Sequence, residues 1–178
     1  MDLLPGSNVT IRRMLPKDCA EAGRFCETTT KWMWEKYLRG VYPKEARGFD
    51  IRHRSAKELR ARIKDPDTFG LVAVADKEIC GIVLGLVYGR SGYGFVDWIA
   101  VDPKHQHEGI GIQLMVATEE LLKEKKCHKF GLNTILELTP ALRLYLKFGM
   151  TPESFMREQW WGADFIMMSK WLGRYKKH

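Results

Sequence analysis

The sequence predicts an α/β fold, a single domain over residues 1–178 with about seven strands and about four helices. Three observations carry this expectation. Strand-like and helix-like hydrophobic periods alternate in the order β-α-α-β-β-β-α-β-α-β-β. The apolar run Phe95 to Val101 passes through a glycine-bearing loop into an amphipathic helical pattern, Gly109 to Lys126. The chain of 178 residues is 45% hydrophobic and 29% charged, enough for one domain with a sizeable core.

Asn8 to Arg13 alternates Val9 and Ile11 with polar neighbours and reads as an opening strand. Pro16-Lys17-Asp18 starts a helix running to Tyr37, with Ala22, Phe25, Cys26, Thr29 and Met33 at helical spacing. Gly40 to Asp50 reads as loop. Ser55 with Glu58 forms a capping-box pattern for a helix to Lys64, ended by Asp65-Pro66-Asp67. Phe69 to Ala75 and Ile79 to Tyr88 are strand runs joined by Asp76-Lys77-Glu78 as a hairpin. Gly89 to Gly94 turns the chain into the strand Phe95 to Val101. The helix beyond the loop carries an apolar stripe of Ile110, Leu114, Ala117 and Leu121. Lys129 to Asn133 is a strand. Thr139 fits an N-cap and Pro140 a first helical position, for a helix ending at Gly149. Phe155 to Trp160 and Asp164 to Met168 form a last strand pair.

Composition excludes several classes. No apolar run approaches the roughly 18 residues of a membrane span. The start, Met1 to Gly6, has no basic region of the kind that opens a secretory signal, so a cytoplasmic location is the expectation. Cys19, Cys26, Cys80 and Cys127 form no Cys-x-x-Cys pair and read as free thiols in a reducing compartment, with Cys19 and Cys26 able to share a helix face. His105 and His107 flank Gln106 without further ligands nearby in sequence, so no metal site is expected. The formal charge of +7 suits a polyanionic ligand. The basic residues, from Arg12-Arg13 to Lys176-Lys177, are dispersed, which favours solvated faces over a nucleic-acid surface.

The loop Gln106-His107-Glu108-Gly109-Ile110-Gly111 holds the strongest chemical signal. Small residues at a strand-to-helix turn let a ligand approach the backbone. The first helical N–H groups lack intrahelical partners, and the dipole there favours negative charge. The pattern fits a pyrophosphate cradle. A dinucleotide fingerprint would place glycine where Leu114 stands, and a P-loop would need Gly-Lys-Ser/Thr; neither is present.

What remains is Gln-x-x-Gly-x-Gly after Val101-Asp102-Pro103, and this resembles the acetyl-coenzyme A loop of the GCN5-related N-acetyltransferases, the GNAT family. A second segment, Ala141-Leu142-Arg143-Leu144-Tyr145-Leu146-Lys147-Phe148-Gly149-Met150, is similar to the family's penultimate helix, Ala-x-x-Leu-Tyr-x-Lys-x-Gly-Phe. The resemblance covers Asn8 to Leu172 and is specific from Asp97 to Gly149. It implies a mixed, largely antiparallel sheet flanked by helices, and acetyl-CoA as co-substrate.

It also implies roles for residues. The amides of Gln106, His107, Glu108, Gly109, Ile110, Gly111 and Ile112 would bind the pyrophosphate. The main chain of Ile99, Ala100 and Val101 would contact the pantetheine arm and thioester. Tyr145 would protonate the departing thiolate, against the plainer reading of a core aromatic. Asp97 would be the base for the amine; a salt bridge or solvent-facing carboxylate is the plainer reading, and a water chain is the alternative base. The family asparagine that touches CoA is replaced by Leu138; Asn133 is too early to take its place, and Thr139 could supply a hydroxyl.

The aromatic residues Trp32, Trp34, Tyr37, Tyr42, Trp160 and Trp161 lie in segments that border the acceptor in the family. They suggest a primary amine on an apolar or aromatic body, with core packing as the alternative reading of the same residues. The function expected is acetyl transfer directly from the CoA thioester to a primary amine, of a small molecule or of a peptide or protein. A CoA-binding module without turnover is the rival, and a basic nucleic-acid binder the third reading. The partners expected are acetyl-CoA and the amine, with no membrane; a homodimer is left open.

Overall fold

The computed structural model describes residues 9–174. Seven strands form one sheet in the order β1-β2-β3-β4-β5-β7-β6. They are β1 (Thr10–Arg13), β2 (Thr68–Ala75), β3 (Glu78–Val87), β4 (Tyr93–Val101), β5 (Lys129–Thr134), β6 (Thr151–Trp160) and β7 (Ala163–Trp171). Every neighbouring pair is antiparallel except β4 with β5. The expected sheet, mixed and largely antiparallel, is thus found. Asn8, the Met1 to Gly6 segment and Lys176-Lys177 lie outside the described residues.

Five α-helices accompany the sheet: α1 (Cys19–Met33), α2 (Lys44–His53), α3 (Ala56–Arg62), α4 (Ile110–Glu124) and α5 (Thr139–Lys147). The first expected helix divides into a 3-10 turn at Pro16–Asp18, α1, and a π turn at Trp34–Leu38. The segment from Gly40 to Asp50, read as loop, instead contains most of α2. Lys44-Glu45-Ala46-Arg47 are strong helix formers, but Ala46 is the one buried residue of the helix, so there is no apolar stripe to reveal it. Thr139 does not cap α5; Leu138 occupies the cap position and the Thr139 hydroxyl donates to the Leu136 carbonyl at 3.4 Å. Ser55 does cap α3, accepting from the Glu58 N–H at 3.5 Å.

The hairpin between β2 and β3 turns at Asp76 and Lys77, both with left-handed φ of 48° and 71°. Two such residues in succession suit a two-residue hairpin turn. Alternation along the strands sends side chains to two layers. On one face Ile110, Leu114 and Leu121 of α4 pack against Leu71, Val83 and Phe130, with Ala117 partly buried beside them. Burying each of those large side chains fully is worth about 1.5–3 kcal/mol. On the other face Ala22, Phe25 and Cys26 of α1 and Leu59 of α3 cover Val72, Ile82 and Leu84. Cys19 and Cys26 do share the buried face of α1, and all four cysteines are free and buried.

Entry to α1 is fixed by an ion pair. The Asp18 carboxylate, 6% exposed, accepts from Arg12 at 2.5 and 3.0 Å and from the Leu15 N–H at 2.7 Å. The Arg12 hydrogen bond holds the Asp18 carboxyl below the usual carboxylate range, against the opposing effect of burial. Among the described residues no helix is long and apolar enough to cross a membrane.

Candidate functional site

The site begins at a defect in the sheet. Gly85 pairs with Val96 and Leu84 with Trp98, so Asp97 is an extra residue in β4, a bulge. The parallel pairing of β4 with β5 ends at the same level, at Val96 and Leu132. Beyond it, β4 continues to Val101 bonded to β3, while Asn133 and Thr134 of β5 pair with β7. Two neighbouring strands therefore part, and the edge of Ile99, Ala100 and Val101 that would have faced β5 is left without a ladder. These are the residues expected to meet a pantetheine arm, whose amides suit such an edge. Ile99 and Val101 lean to the α4 layer, and Trp98 and Ala100 to the α1 layer.

The chain leaves β4 through Asp102, whose carboxylate accepts from the Lys104 N–H at 2.8 Å, and a short turn at Pro103–His105. His107 and Gly109 then take left-handed φ values of 69° and 78°. A Cβ on Gly109 would meet open space, so glycine is required there by backbone conformation rather than by crowding. α4 starts at Ile110 with no side-chain cap and no acid in its first turn. The first intrahelical bond is Gln113 N–H to the Gly109 carbonyl at 3.1 Å, so the amides of Ile110, Gly111 and Ile112 have no intrahelical partner. This is a fitting cradle for a pyrophosphate. A Cβ on Gly111 would sit 3.1 Å from Leu144 Cδ2, so α4 starts in contact with α5. His105 Nδ1 lies 3.1 Å from Glu108 Oε2, and among the described residues no cluster of potential metal ligands is present.

α5 places Tyr145 in the gap. The side chain is 5% exposed and lines a cavity of about 470 Å³ between the parted strands and the end of α1. Its hydroxyl makes no hydrogen bond among the described residues. Burial pushes its pKa up, so it is a protonated phenol throughout the neutral range. Asp97 lines the same cavity. Its Oδ2 accepts from Arg62 Nη2 at 2.7 Å, and that nitrogen also donates to the Gly85 carbonyl at 3.2 Å, directly across the bulge. Asp97 Oδ1 has no bonded partner among the described residues.

The cavity gathers Tyr145, Asp97 and Ile99 of the expected site residues. Ala100, Val101 and the loop from Gln106 to Ile112 lie outside its lining, along the continuing edge of β4 and the start of α4. Of the expected aromatic residues, Tyr42, Trp160 and Trp161 line it. Trp34 does not: it is 5% exposed and packs with Leu38, Ile135 and Phe165 in a third apolar cluster. Trp32 and Tyr37 meet edge-to-face with centroids 5.8 Å apart, with the Lys36 ammonium 4.8 Å from the Trp32 ring centroid, also outside the cavity lining. The π turn at Trp34–Leu38 changes the helical phase after α1, and a regular 3.6 period does not foresee that.

Several lining residues were not evident in sequence. Phe49, Asp50 and Arg54 come from α2 and its end, the element hidden by its polar composition. The Arg54 guanidinium carbon sits over the Trp98 ring, 3.7 Å from its centroid, and Arg54 pairs with Asp50. The signal available was their i, i+4 spacing, a common surface pattern. Asn133, a polar residue within an apolar strand, lines the cavity from β5 with a buried Oδ1 that has no hydrogen-bond partner among the described residues. Leu138, where the family asparagine would stand, lines it too.

A model of the acetyltransferase (GNAT) family matches residues 27–150. An N-acetyltransferase of Bacillus subtilis (strain 168), YobR, named as uncharacterized, is 30% identical over 127 residues. That alignment takes in 69% of this chain and 50% of YobR, so the chain spans about half the length of this relative. The PaiA N-acetyltransferase of Thermoplasma acidophilum, crystallised with coenzyme A, superposes with a TM-score of 0.77 at 22% identity, covering 92% of this chain and 99% of that one. The ribosomal-protein-S18-alanine N-acetyltransferase of Escherichia coli superposes with a TM-score of 0.67 at 16% identity, covering 95% and 97%. At these identities the two superpositions speak for the fold.

Proposed function

The chain belongs to the acetyltransferase (GNAT) family, and from that premise we propose that it transfers an acetyl group directly from acetyl-CoA to a primary amine. The observation that carries this reading is the parting of β4 from β5 at the Asp97 bulge, with the Tyr145 hydroxyl in the gap. The amides from Gln106 to Ile112 hold the pyrophosphate, and the free edge of Ile99, Ala100 and Val101 guides the pantetheine arm. The neutral amine attacks the thioester carbonyl, the C–N bond forms and the C–S bond breaks. Tyr145 gives its proton to the departing sulfur, because a neutral thiol leaves more readily than a thiolate in a buried site. Asp97, through its open Oδ1, or a water beside it, takes the proton the amine must lose. The Arg62 pair fixes the direction of that carboxylate.

The acceptor carries an apolar or aromatic body, in keeping with Tyr42, Trp160, Trp161 and Phe165 around the cavity. The proposed setting is the cytoplasm, which suits four free thiols. The test is thiol release from acetyl-CoA with a panel of amines, alongside calorimetric binding of CoA. Turnover that rises with pH through the neutral range, as the amine is deprotonated, supports the reading. Tight CoA binding with no thiol release above hydrolysis for any amine assigns the fold to a binding module instead.

A further inference from the structure

The charged groups around the acceptor end of the cavity are unevenly committed. Asp97 and Asp50 both line it, and each has its charge already balanced by an arginine on one carboxylate oxygen, Asp97 Oδ2 by Arg62 at 2.7 Å and Asp50 Oδ1 by Arg54 at 3.1 Å. A polycationic acceptor would need carboxylates free to receive its further ammonium groups. Arg54 is placed differently. Its side chain is 14% exposed and lines the cavity. Its Nη1 is used, bonding the Asp50 carboxylate and the Asp50 carbonyl at 2.9 Å. Nε and Nη2 have no bonded partner among the described residues, and neither is among the sealed, unpartnered polar atoms. They are therefore open donors on a largely buried cation. The guanidinium is held by the Trp98 ring, whose centroid is 3.7 Å from its carbon, and by Asp50 beside it. A planar, always-charged fork with two adjacent N–H groups free matches the two oxygens of a carboxylate.

We propose that Arg54 is a specificity-determining residue that reads a carboxylate on the acceptor, so that the substrate class is an amino carboxylic acid with an apolar or aromatic side chain. This rests on the acetyl-transfer reading above and narrows it. The volume of about 470 Å³ suits a single amino acid beside the acetyl group. The ammonium end points to Asp97 and Asn133 at the parted strands, the carboxylate to Arg54 at the end of α2, and the side chain to the aromatic residues Tyr42, Phe49 and Trp161 of the lining.

The experiment compares L-phenylalanine, L-phenylalaninamide and phenethylamine, with spermidine as the polycation, in thiol release with saturating acetyl-CoA. A buried charge-assisted pair predicts kcat/KM about 10–100-fold higher for the acid than for the amide or the plain amine. Arg54→Met brings that ratio towards unity. If Arg54→Met does not fold, Arg54→Lys carries the comparison, since it keeps the charge and loses the fork, and the ratio should still fall. Equal use of acid and amide, preference for spermidine, or a ratio unchanged in the Arg54 variant overturns the proposal. A second arm separates this from the catalytic reading: calorimetric binding of N-acetyl-L-phenylalanine and its amide to the CoA-loaded protein. Without turnover, selective binding of the acid that is lost in the Arg54 variant sustains carboxylate recognition while acetyl transfer fails. Equal or absent binding overturns the recognition itself.

Discussion

Tyr145→Phe removes one oxygen and nothing else, and the structure separates its consequences. The ring belongs to the main apolar cluster and keeps that packing as phenylalanine. The hydroxyl has no hydrogen-bond partner to lose among the described residues, so the contribution usually forfeited, about 0.5–1.5 kcal/mol, does not apply. The melting temperature should therefore hold or rise slightly. CoA affinity should hold as well, since the proposed pyrophosphate cradle is on another element, the start of α4. The chemical step should slow by about 10²–10⁴-fold, the usual contribution of a general acid. At about 1.36 kcal/mol per tenfold, that raises the barrier by roughly 2.7–5.4 kcal/mol. The measurement is single-turnover thiol release at saturating amine, with calorimetric CoA binding and thermal unfolding on the same preparation. The pH profile adds a check. Burial raises the tyrosine pKa from an already high ordinary value, so the acid does not titrate near neutrality, and variant and wild type should share the shape of their rising limb. An unchanged single-turnover rate refutes the acid role. A loss of several degrees in melting temperature refutes the premise that the hydroxyl has no structural work.

Gly109→Asp should fold with some strain, because φ is 78° but a Cβ meets open space, and it should abolish the stabilisation of the protein by CoA in a thermal-shift assay. A normal shift in the folded variant removes the loop from the phosphate site. Gly85→Ala should destabilise strongly: its Cβ would stand 2.1 Å from Phe69 Cζ and 2.5 Å from the Phe95 carbonyl oxygen. Overpacking of this kind costs about 1–3 kcal/mol or more, read by denaturant unfolding. Asp18 has a lowered folded pKa, so its pair with Arg12 contributes stability above the unfolded carboxylate value of about 3.9 and loses it as pH falls through the folded value. Asp18→Asn should lower stability at neutral pH and flatten the acid limb of a melting-temperature profile; an unchanged limb shows that the pair contributes little.

Much of this protein is legible in its sequence because the relevant physics is local. Strand alternation, the stripe of Ile110, Leu114 and Leu121, the Ser55 cap and the turn at Asp76-Lys77 are set within a few residues, and each is found where expected. Gly109 and Gly111 are local too, since a left-handed turn and an uncapped helix start leave a mark on the chain itself. The acceptor side is not local. α2 has one buried residue, so its pattern carries no period, yet it delivers Phe49, Asp50 and Arg54 to the cavity. Trp32 at the end of α1 and Trp34 at the start of the π turn stay out of the cavity, while Tyr42, beyond that turn, lines it. The pairing of Asp97 with Arg62 joins α3 to the bulge across β3, a contact set by how the elements pack and not by any spacing along the chain. The sequence by itself thus determined the fold, the left-handed turn at Gly109 and the uncapped start of α4, where each residue answers to its near neighbours. Only the tertiary structure decided which aromatic and charged side chains share the cavity, because that depends on the phase and packing of helices distant in sequence.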